Sequence, residues 1–411
     1  MKKTIKISII TLLSLITVII ITITVLFTFF TNDIVSIMLE PNFITLTPVT
    51  EEFDSIAPNN TNMEMPDSIR RNLEDYDYLV NFVEENYAPF SAIMEKGYEQ
   101  EYRAMRKQLR QQVIYGEANI EKAASDYVFW FYGQFDRHIS VSREAFWKNA
   151  KPLFPQDIEV IKLAPKAVSC KVDSCTWLIR VPSCDPSIEK QTKNAFRQFL
   201  ESDCENLIID VRGNGGGNDG VWDDYYTELY DHPSKDFICW FRNTPENLRF
   251  YDYALKMIPK SAFIQRLIYR GYITKFKSSN KEFVEKAERL GDRGLQPTPR
   301  IHRAAVLIDW GTASAAESLV EFVKNHCDRT KVYGVGNTYG ADQSGDIRYV
   351  SLPNSKIEFQ YPTTVTSDFY DNDFSGTPGI APDIIIPLPY ATTLTDNIDE
   401  WVLWVAEDLK R

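Results

Sequence analysis

The sequence predicts an α/β protein, and two observations support this prediction. After about residue 155, apolar runs of strand length alternate with amphipathic helices, as in Leu207–Val211 followed by a helical pattern near 220–230. Strands separated by helices indicate a largely buried sheet with helices on its faces. The 411 residues are 44% hydrophobic and 25% charged, a composition typical of a globular protein with a substantial core.

Residues 1–31 predict a transmembrane anchor. The 25 residues from Ile7 to Thr31 carry no charge, and a helix of that length reaches roughly 37 Å, more than the ~30 Å hydrocarbon core. Three lysines precede it, so the positive-inside rule predicts a cytoplasmic N-terminus and a catalytic part outside the cytoplasm, in a periplasm or at the cell surface. A cleaved signal peptide is the alternative, although such segments are usually shorter and end in small residues.

The charge balance restricts the partners. Lys and Arg number 45 against 57 Asp and Glu, a net charge of −12, which argues against a nucleic-acid binder. Without the three N-terminal lysines the remainder carries −15, so its surface is not expected to bind anionic lipid. An exported chain could join Cys170 to Cys175 across a turn, or keep all six cysteines as free thiols. No cysteine pair or His/Cys cluster has the spacing of a metal site, and no cofactor is expected.

The chain divides into four segments. After the anchor, residues 32–65 contain prolines among polar residues and predict a linker. Apolar residues at helical spacing predict a small helical domain over 66–150. Residues 151–411 form the α/β core, which a basic, aromatic helical insertion at 242–300 interrupts, and an amphipathic helix within 392–411 closes it. The insertion could cap a cleft or consist of packed helices only.

A glycine-rich loop follows one predicted strand. Leu207–Val211 leads into the segment RGNGGGNDG, in which Gly215, Gly217 and Gly220 satisfy the G-x-G-x-x-G pattern of dinucleotide sites. Such a site needs an acidic residue after the next strand, but basic and amide residues follow the predicted strand 237–241. The loop suits backbone N–H groups that approach a developing oxyanion, or it is a tight structural turn.

Ser314 begins a helix directly after another predicted strand, 304–308. With Glu317 it fits the S-x-x-E capping box, a structural role. The same position on a strand-to-helix turn would expose the hydroxyl at the edge of a sheet, where the Ala315 N–H could donate to an oxyanion. The turn alone does not decide between the two roles.

Three motifs taken together are more specific. The strings LIIDVRGNGGG and TASAAE, followed by GIAPDI at 379–384, resemble the C-terminal processing peptidase and tricorn-like family of serine peptidases over roughly 175–390. The resemblance implies a crotonase-like spiral core sheet with flanking helices. It also implies Ser314 as the nucleophile and the N–H groups of Gly216 and Ala315 as the oxyanion hole.

Two departures from the family pattern select a branch. The lysine base of the bacterial processing peptidases is missing, because Ala341 follows the T-Y-G motif, and there is no room for the family's peptide-binding PDZ module. The tricorn-like branch uses a histidine before the core, and Phe135–His138 resembles its D-x-H motif, which implies His138 as the base. A histidine with its reference pKa of about 6.5 predicts activity that rises through roughly pH 6–7.

The residue that orients His138 is left open. The resemblance places it just before the G-I-x-P-D strand, where Asp373 and Ser375 are the candidates, and Asp136 is an alternative nearer in sequence. The resemblance implies a serine endopeptidase that cleaves a peptide or protein substrate, and the predicted anchor at 1–31 would make it membrane-anchored. The alternative is an inactive relative that binds peptides or small hydrophobic ligands. The substrate, the cleavage specificity and the oligomeric state do not follow from the sequence.

Overall fold

The structure is a computed structural model that describes residues 65–151, 167–234, 238–286, 295–298, 300–371, 379–389 and 398–411. The predicted anchor at 1–31 and nearly all of the predicted linker at 32–65 lie outside these residues. Within the described ranges, no helix combines the length and the apolar character that are needed to cross a bilayer.

A six-stranded sheet, called here the parallel sheet, forms the centre of the predicted α/β region. Its strands are β2 (Val168–Lys171), β3 (Thr176–Arg180), β4 (Asn206–Asp210), β7 (Arg303–Leu307), β8 (Thr330–Gly334) and β11 (Ile384–Ile385). Their spatial order is β11-β8-β7-β4-β3-β2, and every pair is parallel except β2 with β3. The buried apolar runs of β4 and β7 suit central strands that are covered on both faces.

Helices cover both faces of the parallel sheet. Along β4, Leu207 and Ile209 pack into one hydrophobic cluster, whereas Ile208 packs into another on the opposite face, as strand alternation requires. Three helices contribute to the first cluster: α6 (Glu189–Leu200), α7 (Asp223–Leu229) and α10 (Ala315–His326). The closing helix α12 (Glu400–Asp408) supplies the second cluster.

A second, antiparallel sheet lies outside the predicted α/β pattern. Strand β10 (Glu358–Thr366) pairs with β9 (Ser344–Ser351) and also with β1 (Ser140–Val141) and β5 (Cys239–Arg242), while β6 (Phe283–Glu285) extends it from β5. The strand predicted at 237–241 therefore belongs to this antiparallel sheet and not to the α/β sheet. The partners are far apart in the chain, so local periodicity could not reveal the pairing.

The N-terminal helices pack against the antiparallel sheet. These helices are α1 (Asp67–Asn86), α2 (Phe90–Ile93), α3 (Glu99–Ile114), α4 (Ile120–Gln134) and α5 (Glu144–Ala150), with a π-helical turn at Met94–Tyr98. Their buried side chains form one hydrophobic cluster with residues of the sheet, such as Trp240, Phe359 and Tyr361. The predicted division of the chain into a helical domain that ends at residue 150 and a separate core stays a prediction.

The insertion contains a helical hairpin between β5 and β6. It consists of α8 (Pro245–Met257) and α9 (Phe263–Ser278), and a short helix, α11 (Ser367–Asp371), follows β10 elsewhere in the chain. All six cysteines are free thiols, so Cys170 and Cys175 are not joined.

Candidate active site

The glycine loop and the Ser314 turn leave the parallel sheet at the same edge. Strands β4 and β7 are parallel neighbours in which Asp210 pairs with Leu307, so the segments that follow them start side by side. Three hydrogen bonds join these segments: Ala313 N–H donates to Asn214 O at 2.9 Å, Thr312 Oγ1 to Val211 O at 2.9 Å, and Gly213 N–H to Asp309 Oδ1 at 2.8 Å. The two motifs, about 100 residues apart in sequence, thus form one continuous surface.

Ser314 has a backbone conformation that L-residues rarely adopt. Its φ is 54° and its ψ is −121°, outside the regions that are sterically comfortable for a residue with a Cβ. The residue caps α10 and forms the predicted capping box, in which Glu317 accepts the Ser314 N–H at 2.8 Å. A strained serine on a sharp strand-to-helix turn is also the geometry of an exposed nucleophile.

Gly216 lies directly against Ser314. A Cβ at Gly216, whose φ is +93°, would be 2.7 Å from the Ser314 Cβ and 3.0 Å from the Ala315 N, so only glycine fits. Among the residues that the structure describes, the Ala315 N–H has no hydrogen-bond acceptor. The Gly216 N–H, by contrast, donates to Asn214 Oδ1 at 2.9 Å. Gly216, Ser314 and Ala315 are therefore neighbours. Of the two predicted oxyanion donors, the Ala315 N–H is unused by the described residues, and the Gly216 N–H already donates to Asn214.

Glu317 ties the Ser314 turn to the segment 338–344. Its carboxylate is fully buried and accepts four hydrogen bonds. The donors are Ser314 N–H at 2.8 Å, Thr338 Oγ1 at 2.5 Å, Gly340 N–H at 2.7 Å and Ala341 N–H at 2.9 Å. Burial, together with the charge of Asp342, raises the pKa of Glu317 to about 8, although the hydrogen bonds that it accepts oppose this shift.

His138 is buried, with 7% of its surface exposed, and its imidazole is held by a chain of hydrogen bonds. Nδ1 lies 3.0 Å from Ser344 Oγ, and Ser344 donates its hydroxyl hydrogen to Asp136 Oδ1 at 2.8 Å. Since that hydrogen points to Asp136, the Ser344 oxygen accepts the Nδ1–H, which leaves Nε2 unprotonated in the neutral ring. Burial lowers the pKa of His138 below its ordinary value, against the opposing effects of Asp136 and Ser344.

Asp136 is fixed on both oxygens. Oδ1 also accepts the backbone N–H of His138 at 2.9 Å, and Oδ2 accepts the hydroxyl of Tyr87 at 3.0 Å. The carboxylate lies 3.9 Å from Nδ1, so it acts on the imidazole chiefly through Ser344. Asp136 therefore both holds the turn before His138 and anchors its hydrogen-bonded chain.

Tyr339 connects the histidine segment with the serine turn. Its N–H donates to Thr312 O at 2.9 Å, while its carbonyl accepts a hydrogen bond from Arg137. Its hydroxyl lies 2.5 Å from that of Tyr132. Both predicted catalytic segments thus contact residues 338–344, which begin at the same edge of the parallel sheet because β8 precedes them.

The structure does not bring all of the predicted catalytic residues into contact with one another. Within the described part of the chain, no hydrogen bond links the Ser314 hydroxyl to the His138 imidazole. The predicted orienting residues Asp373 and Ser375 lie outside the described residues. Ser344, which contacts His138 instead, was not predicted; the nearest signal was its position shortly after the T-Y-G motif.

Carboxylates surround the serine side of the site. Glu321 is one turn beyond Glu317 on α10, and its pKa is raised well above the ordinary value by burial and by Asp342, Asp368 and Asp219. Burial likewise raises the pKa of Asp342 to about 6. Glu317, Glu321 and Asp342 therefore hold their protons to higher pH than ordinary carboxyl groups do.

Several solved structures are similar to this chain. The structure resembles mature CPAF, with a TM-score of 0.51 and 14% identity over 84% of this chain and 96% of that chain. A lipoprotein from Streptococcus agalactiae aligns over 85% of this chain and 99% of its own, at 15% identity and a TM-score of 0.44. The tricorn protease aligns over 84% of this chain and 37% of its own, at 12% identity and a TM-score of 0.37. No curated protein sequence matches the chain significantly.

The family assignment rests on the region that contains both sheet-edge motifs. The profile of Peptidase family S41 matches residues 176–386, slightly more than half of the chain. The match covers the glycine loop and the Ser314 turn, and the mixed α/β fold agrees with it. The chain therefore belongs to Peptidase family S41 and is a serine-type peptidase.

Proposed function

We propose that this peptidase is a membrane-anchored serine endopeptidase with Ser314 as nucleophile and His138 as general base. The observation that carries the proposal is the strained conformation of Ser314 directly beside Gly216 and the unused Ala315 N–H. A capping serine needs no such strain, because N-cap residues normally have ordinary extended backbone angles. Strain at this position is consistent with a hydroxyl presented to a substrate.

His138 is suited to the role of base. Its Nδ1–H is accepted by Ser344, so the lone pair is on Nε2, the nitrogen that no described residue engages. The lowered pKa of His138 keeps the ring neutral, and therefore able to accept a proton, at neutral pH. Catalytic hydrogen bonds are often long without substrate and shorten when it binds, so the missing Ser314–His138 bond is compatible with this role.

The reaction follows from these positions. His138 Nε2 takes the Ser314 hydroxyl proton while the serine oxygen attacks the peptide carbonyl carbon. The oxyanion accepts the Ala315 N–H and an N–H of the glycine loop; Gly216 would have to share its hydrogen with Asn214. His138 then protonates the amine and the C–N bond breaks. Water attacks the acyl-serine as His138 takes its proton, and His138 returns that proton to the Ser314 oxygen as the ester bond breaks and the carboxylic acid leaves.

The membrane placement rests on the sequence. The uncharged run from Ile7 to Thr31, with lysines before it, supports an anchor that leaves residues 65–411 outside the cytoplasm, in a periplasm or at the cell surface. An extracytoplasmic peptidase would meet exported or surface proteins as substrates. The anchor would hold the site close to the bilayer.

The test is Ser314→Ala in the full-length chain in detergent. Hydrolysis of fluorescein-labelled casein should fall by on the order of 10⁴–10⁶-fold, as removal of a serine nucleophile does in other peptidases. The control is Ser318→Ala, one turn further along α10, which should keep full activity and full labelling by a fluorophosphonate. Undiminished hydrolysis by Ser314→Ala would refute the nucleophile. A wild-type chain that binds peptide but neither cleaves casein nor reacts with the fluorophosphonate would be an inactive binder.

A further inference from the structure

The end of the α8–α9 hairpin exposes a cluster of large apolar side chains, called here the hairpin tip. The tip comprises the following residues, with their exposed fractions: Tyr253 60%, Met257 66%, Phe263 68%, Ile264 73%, Leu267 56% and Ile268 45%. Scattered exposed apolar residues are ordinary, but several on adjacent turns of one hairpin indicate an interaction surface.

The tip is presented by a packed base. At the other end of the hairpin, Phe276 stacks on Phe241 of β5 with ring centroids 4.3 Å apart, and Tyr251 packs edge-on against Phe241 at 5.3 Å. The Tyr251 hydroxyl donates to Asp346 Oδ2 at 3.1 Å. On α9 the buried residues Ile273 and Phe276 face this base, so the apolar residues of the first two turns cannot also be buried against it.

The hairpin is strongly basic in an acidic protein. Residues 245–281 contain eight Lys and Arg against two Asp and Glu, a net charge of +6 in a chain of −12. Four of these cations are exposed and form no ion pair with any residue in the described ranges: Lys256, Lys260, Arg270 and Lys275. Arg266 is used internally, since it donates to Leu255 O and Ile258 O at the end of α8.

We infer that the hairpin tip docks onto an anionic phospholipid surface. Apolar side chains flanked by unpaired lysines and arginines match the chemistry of a bilayer interface, where the apolar groups enter the acyl boundary and the cations meet headgroup phosphates. This inference rests on the membrane placement proposed above, which keeps the folded part beside a bilayer. The net charge of −15, from which the sequence predicts no binding to anionic lipid, does not oppose this docking. Screening limits electrostatic interactions to about 8–10 Å, so the charge of the hairpin itself decides.

Two signals bind a protein to a membrane more firmly than one. The predicted anchor at 7–31 is one such signal for the catalytic part. A second contact at the tip would fix its orientation, because the packed base attaches α8 and α9 to strand β5. Other occupants, a second copy of the chain or a polypeptide substrate, are outcomes of the experiment below.

The test uses the full-length chain in vesicles of phosphatidylcholine with or without phosphatidylglycerol. The photo-reactive residue p-benzoyl-phenylalanine replaces Ile264 or, as a matched control, Tyr115, which is 67% exposed but lies in the N-terminal helices. After irradiation, mass spectrometry counts lipid adducts at each position. We expect roughly tenfold more adducts at 264 than at 115 in the anionic vesicles, since each basic residue near such a surface favours binding several-fold.

The triple variant Lys256→Glu, Lys260→Glu, Arg270→Glu should bring the yield at 264 down to that of the control, while casein hydrolysis is retained. A chain that floats with the vesicles but gives equal yields at 264 and 115 would overturn the docking and leave the anchor in place. A protein–protein adduct at 264 would assign the tip to a second copy and overturn the docking as well. A chain that does not float would overturn both, whereas the nucleophile assignment depends only on the Ser314→Ala result.

Discussion

At the scale of single residues, Ser344 determines which nitrogen of His138 carries the proton. The hydroxyl donates to Asp136 and therefore can only accept from Nδ1, so it selects the tautomer with a free Nε2. It also raises the pKa of His138, partly offsetting the effect of burial. Ser344 is thus a positioning residue: it does not touch the substrate in the proposed reaction but prepares the group that does.

Ser344→Ala should lower kcat/KM and move its pH dependence. Losing a hydrogen bond to the imidazolium form costs about 1.5–3 kcal/mol, which corresponds to roughly a 10- to 150-fold decrease in kcat/KM. In the wild type, kcat/KM should rise with pH as His138 loses its proton, with the midpoint of the rise below about pH 6.5, since the pKa of His138 lies below its ordinary value. In Ser344→Ala that rise should move to still lower pH, because a pKa-raising contact is gone.

The pH profile separates this role from a purely structural one. Ser344→Thr keeps the hydroxyl and should restore both the rate and the position of the acidic limb. A profile that is unchanged in Ser344→Ala, or a loss of activity that tracks only a loss of folded protein, would contradict the role of Ser344.

The sequence identified some of these residues and not others for a physical reason. Ser314, Gly216 and Ala315 lie in short motifs whose glycine and small-residue requirements are visible locally. His138 was found through its D-x-H motif, with the expectation of a rise in activity through pH 6–7; burial, which no motif reveals, moves that rise lower. Ser344 contacts His138 across 206 positions of the chain, and nothing in its own surroundings predicts this contact.

At the scale of elements, helix α10 is connected to the segment 338–344 by one carboxylate. Both oxygens of Glu317 face backbone N–H groups: Gly340 on one oxygen, Ser314 and Ala341 on the other. A carboxyl oxygen can accept such a group whether or not the acid is protonated, but the NH₂ nitrogen of a glutamine cannot. The capping box predicted from the sequence therefore extends into a contact that fixes the segment carrying Ser344.

Glu317→Gln should destabilise the protein by about 1–3 kcal/mol, the cost of leaving a buried donor unsatisfied. The matched control is Glu321→Gln on the same helix, a carboxylate that neighbouring acids repel, so its neutralisation should leave the protein equally or more stable. Thermal unfolding of both variants at neutral pH measures the difference. Equal effects of the two substitutions would mean that the hydrogen bonds to Glu317 do not hold the segment.

The same acids set the sign of the pH dependence of stability. The pKa values of Glu317 and Asp342 are raised in the folded state, to about 8 and about 6, so between the ordinary carboxyl pKa and these values the folded protein binds more protons than the unfolded chain. Their contribution to stability therefore decreases as pH rises through that range. The effect of Glu321→Gln should accordingly grow with pH, since it removes another acid with a raised pKa.

The elements differ in how far local sequence determines them. The strand–helix alternation of the parallel sheet follows from apolar runs and amphipathic periods, and strands β4 and β7 lie within one residue of the predicted runs. The antiparallel sheet could not be predicted in this way, because β10 pairs with β1 and with β5 across more than 100 residues. Strand β5 was consequently assigned to the wrong sheet.

At the scale of the whole molecule, one arginine links the N-terminal helices to the antiparallel sheet. Arg242, fully buried at the end of β5, donates to Glu84 O at 2.6 Å, Glu85 O at 2.5 Å and Tyr87 O at 3.3 Å, where α1 ends. These are carbonyls that a helix C-terminus leaves without partners, and a cation is favoured there by the helix dipole. His138 follows the same helices, so the predicted base depends on this contact for its position.

Arg242→Met should destabilise the whole protein by on the order of 3 kcal/mol, since it leaves the Glu84 and Glu85 carbonyls at the end of α1 without their donor. The control Arg249→Met removes an exposed arginine whose ion pair within the described ranges is with Glu246, and such surface pairs contribute at most about 1 kcal/mol. Because the helices and the antiparallel sheet share one hydrophobic cluster, they should unfold together. The signals of far-ultraviolet circular dichroism and tryptophan fluorescence and the hydrolysis of casein should all be lost in one transition, at a lower temperature in Arg242→Met.

Two separate transitions, of which Arg242→Met shifts only the first, would show instead that residues 66–150 fold as the independent helical domain predicted from the sequence. In that case His138 would be presented to Ser314 by the docking of one domain onto another.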